Sequence, residues 1–293
     1  MWIAFAFVSA FFLGCYVICK KKSVDGNAVI PVLFLNTLFC SLLLLPLVVI
    51  SKISPDSLYG TIGYVPSVSI ETHGYIFVKS VIVLTSWIFG YFAIKHLPLT
   101  ITGPINATRP VMTLVGALLI FGERLNLYQW IGVIITIISF FLLSLSGKKE
   151  GISFHKNKWI LFMILAAIAG AASGLYDKFL MQKFSSTAVQ FWFNSYQCLL
   201  MLIVMVVLWY PKKKNNTPFR WKWSIILVSV FLTIADFVYF YALTDPDAMI
   251  SIVSMVRRSS VLVSFAGGVL LFHEKNLKGK AIDLVLIIIA MFF

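Results

Sequence analysis

Three arginines, Arg109, Arg257 and Arg258, lie inside long apolar runs, and so do three acids, Asp177, Asp236 and Asp283. An ionised side chain in such surroundings costs several kcal/mol unless it faces a cavity or a partner. A guanidinium presents a planar fork of donors that matches a carboxylate or a phosphate, so the chemistry these residues suit is binding of a small organic anion. In the run that carries Arg109, the residues Thr102, Asn106, Arg109 and Thr113 recur at helical spacing; Ser251, Ser254 and Arg258 do the same in the run of the arginine pair. Neighbours on a helix point about 100 degrees apart. Arg258 therefore shares its side with Ser251 and Ser254, while Arg257 turns toward Ile250, Val253 and Ser264 and needs a partner on an adjoining helix.

The substrate-contact candidates are accordingly Arg258, Arg109, Asn106, Arg257 and Ser254, joined by Asn36, Asn194 and Tyr176 from other runs. Asp236 is the candidate titrating group for proton coupling; exchange of one anion for another needs none. A quieter reading stands beside this one. Arg109 and one of the paired arginines would be neutralised by Asp236 and Asp177, or Asp177 by Lys178, while Asn36 and Asn194 would hydrogen-bond across helices. The stripe Ala166, Gly170, Gly174 reads as packing, and Glu123 and Glu274 as caps or ion-pair partners of Arg124 and Lys275.

Other chemistries find no footing. No HExxH, GxSxG, Asp-rich or phosphate-loop motif occurs, and His73, His96, His155 and His273 fall in loops or near the ends of apolar runs. No catalytic residue, metal or cofactor is expected. Cys15, Cys19, Cys40 and Cys198 lie in or beside apolar runs with no close histidine and read as packing residues. The stretch Phe12-Leu13-Gly14-Cys15 has the look of a lipoprotein box, but no Lys or Arg precedes it and the run continues to Cys19, so a retained first helix is expected.

The elements that must position these residues are membrane helices. The chain is 60% hydrophobic and 12% charged with a mean hydropathy of +0.95, whereas a soluble domain carries roughly 25% charged residues. Its net charge of +13 sits in short clusters between apolar runs, which suits a lipid surface and argues against a nucleic-acid partner. The expected partners are a small-molecule solute and membrane lipid, in a multi-pass protein of the cell membrane; monomer and homodimer both fit.

A spanning helix needs about 20 mostly apolar residues. Ten runs approach or meet this, at about 2–19, 28–50, 76–94, 98–121, 127–146, 159–180, 187–209, 223–243, 247–272 and 280–293. The last is short and stops at Phe293 without a polar end. Residues 51–74 form an irregular loop marked by Pro55, Gly60, Gly63 and Pro66.

An internal repeat divides the runs. Leu119-Ile120-Phe121-Gly122-Glu123-Arg124 matches Leu270-Leu271-Phe272-His273-Glu274-Lys275; Asn36, Thr37 and Cys40 match Asn194, Ser195 and Cys198; Gly14 and Tyr16 match Gly174 and Tyr176. The expected domains are a first five-helix repeat at 1–147, a basic linker at 148–157 and a second repeat at 158–293. Because five is odd, the second copy enters the membrane with opposite orientation, the arrangement of many secondary transporters. The expected fold is thus all-α and integral to the membrane, ten helices in two inverted repeats.

Sixteen Lys and Arg lie in the loops after the odd-numbered runs, against Lys52, Lys79, Arg124, Lys178 and Lys183 on the other side. That bias places the odd loops in the cytoplasm and both termini outside.

Pro110 through Glu123, the counterpart ending at Glu274, and the helix start Trp130-Ile131-Gly132 resemble the drug/metabolite transporter superfamily, in particular its EamA-type ten-helix members. The resemblance implies a secondary carrier working by alternating access, and it implies cytoplasmic termini, against the charge count. This chain departs from the pattern in having Val261 where the second proline would stand and His273 in place of Gly. The segment Met255 to Val263, with Arg257-Arg258, is similar over a short stretch to the triose-phosphate/phosphate translocators, whose paired Lys-Arg holds a substrate phosphate. Cys19-Lys20-Lys21 also resembles their Asn-Lys-Lys, whereas Asn106 stands where they carry a lysine and Arg109 replaces an acid. A flippase for a phosphorylated lipid and an exporter of amino acids or drugs are the alternatives on the same scaffold.

Overall fold

The structure, a computed structural model, describes residues 1–96, 105, 108–145, 157–213, 217–260 and 262–263. All regular structure among these is helical: α1 Trp2–Val24, α2 Val29–Ile53, the single turn α3 Pro55–Leu58, α4 Ile70–His96, α5 Arg109–Ile120, α6 Leu127–Leu145, α7 Lys158–Lys183, α8 Ser186–Val204, α9 Ser224–Leu243 and α10 Ile250–Arg258. A π turn at Met205–Trp209 and a 3₁₀ turn at Tyr210–Lys212 prolong α8. Six stretches among the described residues, including Trp2–Val24, Val29–Ile53 and Ser186–Lys212, are long and apolar enough to cross a membrane. Helices suit that solvent because lipid offers no partner to an open N–H or carbonyl.

The first nine expected runs all carry helix, with shifted ends, and the tenth lies outside the described residues. The first helix extends to Val24 and takes in Lys20 and Lys22. The third begins at Ile70, six residues before its apolar run, because Ser69 Oγ accepts the backbone N–H of Thr72 at 3.3 Å and starts a polar first turn that hydropathy passes over.

The chain divides into two compact units, each drawing on both sequence repeats: Met1–Val81 with Phe179–Pro246, and Ile82–Lys178 with Asp247–Phe293. In the first, α1 packs on α9. Ala6 and Ala235, both fully buried, let the backbones approach, and Ser9 Oγ donates to the Ala235 carbonyl at 2.7 Å. Asn27 closes the end of that pair, donating to the Arg220 carbonyl at 2.7 Å and accepting the Arg220 N–H at 2.8 Å. Buried amides join the other helices of this unit. Gln190 Nε2 donates to the Thr233 carbonyl at 2.9 Å, and Gln197 Nε2 to the Ser80 carbonyl at 2.7 Å. The second unit packs through small apolar clusters, Ala93 with Ile160 and Met163, and Leu114 with Val133 and Met255.

Candidate functional site

Arg109 is the first residue of α5, and its side chain lies across α7 in the second unit. Nη2 donates to the Ala166 carbonyl at 2.8 Å and to Ser86 Oγ at 2.7 Å, while Ser86 Oγ itself donates to the same carbonyl at 2.8 Å. The small stripe on α7 makes this possible, since a Cβ placed on Gly170 would stand 2.3 Å from the guanidinium carbon. Further along, Thr113 lies 4.0 Å from where a Cβ on Gly174 would be. The stripe therefore receives the side chains of α5. Arg109 Nε is buried and meets no partner among the described residues, so the guanidinium is only partly spent on α7. A neutral carbonyl and a hydroxyl thus stand where the quieter reading put a carboxylate.

Two turns at helix ends of this unit are built in the same way, one before α5 and one after α10. At Thr108 the backbone N–H reaches the Ile105 carbonyl at 3.2 Å, and at Ser259 it reaches the Val256 carbonyl at 2.9 Å. Each hydroxyl donates to that same carbonyl three residues back, at 2.6 Å in both cases. Backbone angles agree too, φ −77 and ψ −16 at Thr108 against φ −61 and ψ −11 at Ser259. These are 3₁₀-like steps, of the kind that mark hinges within helices. Pro110 accounts for the first, because it brings no N–H and crowds the preceding turn. No proline marks the second position, where Val261 stands instead, and the Ser259 hydroxyl reinforces the turn there by donating to the Val256 carbonyl. An arginine adjoins each turn, Arg109 after Thr108 and Arg258 before Ser259.

Glu123 fastens the other end of α10. Its carboxylate accepts the Ile250 N–H at 2.7 Å, the Ser251 N–H at 3.3 Å and, at short range, the Ser251 hydroxyl. A carboxylate on the first open N–H groups of a helix satisfies them and complements the positive end of its dipole. The capping role expected of Glu123 is therefore real, and the helix it caps begins 127 residues further on. Ser251 faces Glu123, so of the three residues that share the Arg258 side, this one is engaged at the helix start.

The remaining candidates are dispersed. Arg257, Arg258 and Tyr176 are half-buried in the second unit, and both arginines and Tyr176 have partners of their own. Ser254 is half-buried on α10, and Asn106 lies outside the described residues. In the first unit Asn36 is 2% exposed and accepts the Ser229 hydroxyl of α9 at 3.1 Å, with Cys40 Sγ at 3.8 Å. This bond joins α2 to α9. Asn194 is buried on α8, and Asp236 is half-buried on α9 with a partner of its own.

Sequence reasoning missed Lys79. Grouped by charge with helix ends, it lies well inside α4 at 2% exposure, its ammonium 4.4 Å from the Phe193 ring and 4.9 Å from the Phe240 ring. Such cation–π contacts offset part of the cost of burying the charge. Lys178 is buried as well, at 3% exposure beside the buried Asp177. Both lysines leave the tally that orients the chain, which widens the imbalance between the two sides.

A profile described as the EamA-like transporter family matches residues 1–145 and again 157–293. Among solved structures, one crystal structure superposes with a TM-score of 0.69 at 13% identity, covering 96% of this chain and 93% of its own, a likeness of fold alone. No curated protein matches the sequence.

Proposed function

Because the chain belongs to the EamA-like transporter family, and is therefore a multi-pass membrane transporter of small molecules, we propose that its solute is a small polar organic anion carried by alternating access. The observation that supports this reading most is the pairing of an arginine with each 3₁₀ turn, Arg109 at Thr108 and Arg258 at Ser259. Carriers hold charged solutes at mid-membrane with the ends of discontinuous helices, and here a guanidinium adjoins each such end. In this reading Arg258 is the first contact of the anion. Arg109 approaches it with the donors it does not spend on α7, and Asn106 and Ser254 line the same space. Arg257 serves the packing of its helix. The two repeats, 1–147 and 158–293, exchange conformations to open the site to either side, with Asp236 as the group that would titrate if a proton is carried.

A thermal-shift screen of the purified protein against sugar phosphates, carboxylates, amino acids and nucleotides tests this. A ligand at 100 times its dissociation constant adds about 2.7 kcal/mol of stability. Sugar phosphates or small polar carboxylates, which lack an apolar part, should raise the melting temperature of the parent and leave Arg258→Gln unmoved. Stabilisation by neutral or cationic solutes alone would remove the anion from the account.

A further inference from the structure

The first unit holds a cavity of about 390 Å³ between the last turn of α2, the segment 64–68, the start of α4 and the second turn of α8. That volume falls within the roughly 300–1,000 Å³ of small-ligand sites. Its polar lining is one-sided: Lys52, Ser51, His73 and Trp192 all bring N–H or O–H groups, and no Asp or Glu is among the lining residues.

Several of these donors are uncommitted. Ser51 is 6% exposed, and its Oγ accepts the Val65 N–H at 3.0 Å. Its own proton reaches no acceptor among the described residues, unlike those of Ser41 and Ser80, which go to the carbonyl one turn back. The Trp192 indole N–H likewise bonds to no described residue. His73 Nδ1 lies 2.9 Å from the Tyr196 hydroxyl, a bond that either neutral tautomer makes, and Nε2 is a further donor in the tautomer that carries its proton there. The imidazole meets the Trp192 ring edge-on at 4.5 Å, so these donors are held in place by packing.

Val48, Val65, Pro66 and Val68 make one side of the wall apolar, and Tyr64 and Ser67 complete the lining. Lys52 closes the lip from the last turn of the apolar span Val29–Ile53, which sets the opening at the level of the lipid headgroups.

We propose that this cavity binds an amphipathic anion, a phosphate or carboxylate head against Lys52, Ser51, His73 and Trp192 with its apolar part along the valines. A cation finds no counter-charge among the lining residues, whereas an anion meets the ammonium and the donors beside it. The same chemistry is offered by the head of an anionic phospholipid and by a soluble amphipathic acid. This site does not depend on the carrier reading, since it contains none of the arginines.

The test uses the full chain in phosphatidylcholine nanodiscs, with either phosphatidylglycerol mixed into the bilayer or phenyl phosphate added to the buffer. Melting temperature is read for the parent, Lys52→Gln, Lys52→Glu and Arg258→Gln. Lys52 is exposed, so neither change at that position disturbs the fold. At least one probe should raise the melting temperature of the parent and of Arg258→Gln by several degrees, while Lys52→Gln loses most of the rise and Lys52→Glu all of it. A rise from phosphatidylglycerol identifies a lipid head, and one from phenyl phosphate a free anion. The proposal is overturned if neither probe acts, if the Lys52 variants respond like the parent, or if the response vanishes in Arg258→Gln, which would place the anion in the carrier site.

Discussion

Arg109 shows how one residue can be read two ways until its surroundings are known. A guanidinium in an apolar run suggested a solute contact, yet one of its nitrogens is bound to the Ala166 carbonyl and to Ser86 through a gap that only glycine leaves at position 170. Gly170→Ala forces the guanidinium aside and should lower stability by about 1–3 kcal/mol, the usual cost of overpacking. In an Arg109→Ala background the same methyl meets no obstacle, so the second substitution should cost little. Melting temperatures of the four proteins in this cycle check it; strictly additive losses would mean that the two residues do not share the space. The arginine pair separates by role. Arg258→Gln should abolish stabilisation by sugar phosphates and small polar carboxylates while leaving a monodisperse, folded protein, whereas Arg257→Gln should mainly lower the melting temperature.

At the scale of elements, α10 is held at its start by Glu123 and interrupted at its far end by the Ser259 turn. Removing the cap by Glu123→Ala should cost about 0.5–2 kcal/mol, the range for loss of a capping side chain, and Glu123→Gln should cost less because its amide oxygen can still accept one N–H. Thermal unfolding of both variants decides it; equal losses would show that charge and not hydrogen bonding holds the helix start. The helices themselves were legible in the sequence because length and apolarity alone determine a membrane span. Polar turns at their ends were not, as the start of α4 at Ile70 shows. The turn at Thr108 could be read from Pro110, while its counterpart at Ser259 has no proline and carries a hydroxyl bond that only coordinates reveal. Lys79 looked like a helix end because local hydropathy registers its charge and cannot see Phe193 and Phe240, more than 100 residues away. Pairings such as Glu123 with Ser251, or Asn36 with Ser229, are likewise beyond any local pattern.

For the whole molecule, family membership gives a membrane transporter of small molecules, and the distribution of charge gives a direction to test. Lys148, Lys149 and Lys212 to Lys214 should lie in cytoplasmic loops. A single cysteine at position 213 in an otherwise cysteine-free chain should then escape impermeant maleimide applied to intact cells, and ready labelling would restore the cytoplasmic termini that the resemblance implies. The central claim, an anion carrier that depends on Arg258, calls for a measurement that detects uniport, exchange and symport alike. Proteoliposomes are loaded with unlabelled sugar phosphates, carboxylates, amino acids and neutral sugars, and placed in the same mixture bearing heavy isotopes at equal concentration. Mass spectrometry of the vesicle contents then reads which solutes have exchanged. We predict heavy label entering through one or more phosphate esters or carboxylates with the parent, and none above protein-free vesicles with Arg258→Gln. Exchange confined to neutral or cationic solutes, or anion exchange that Arg258→Gln supports as well as the parent, would contradict the account.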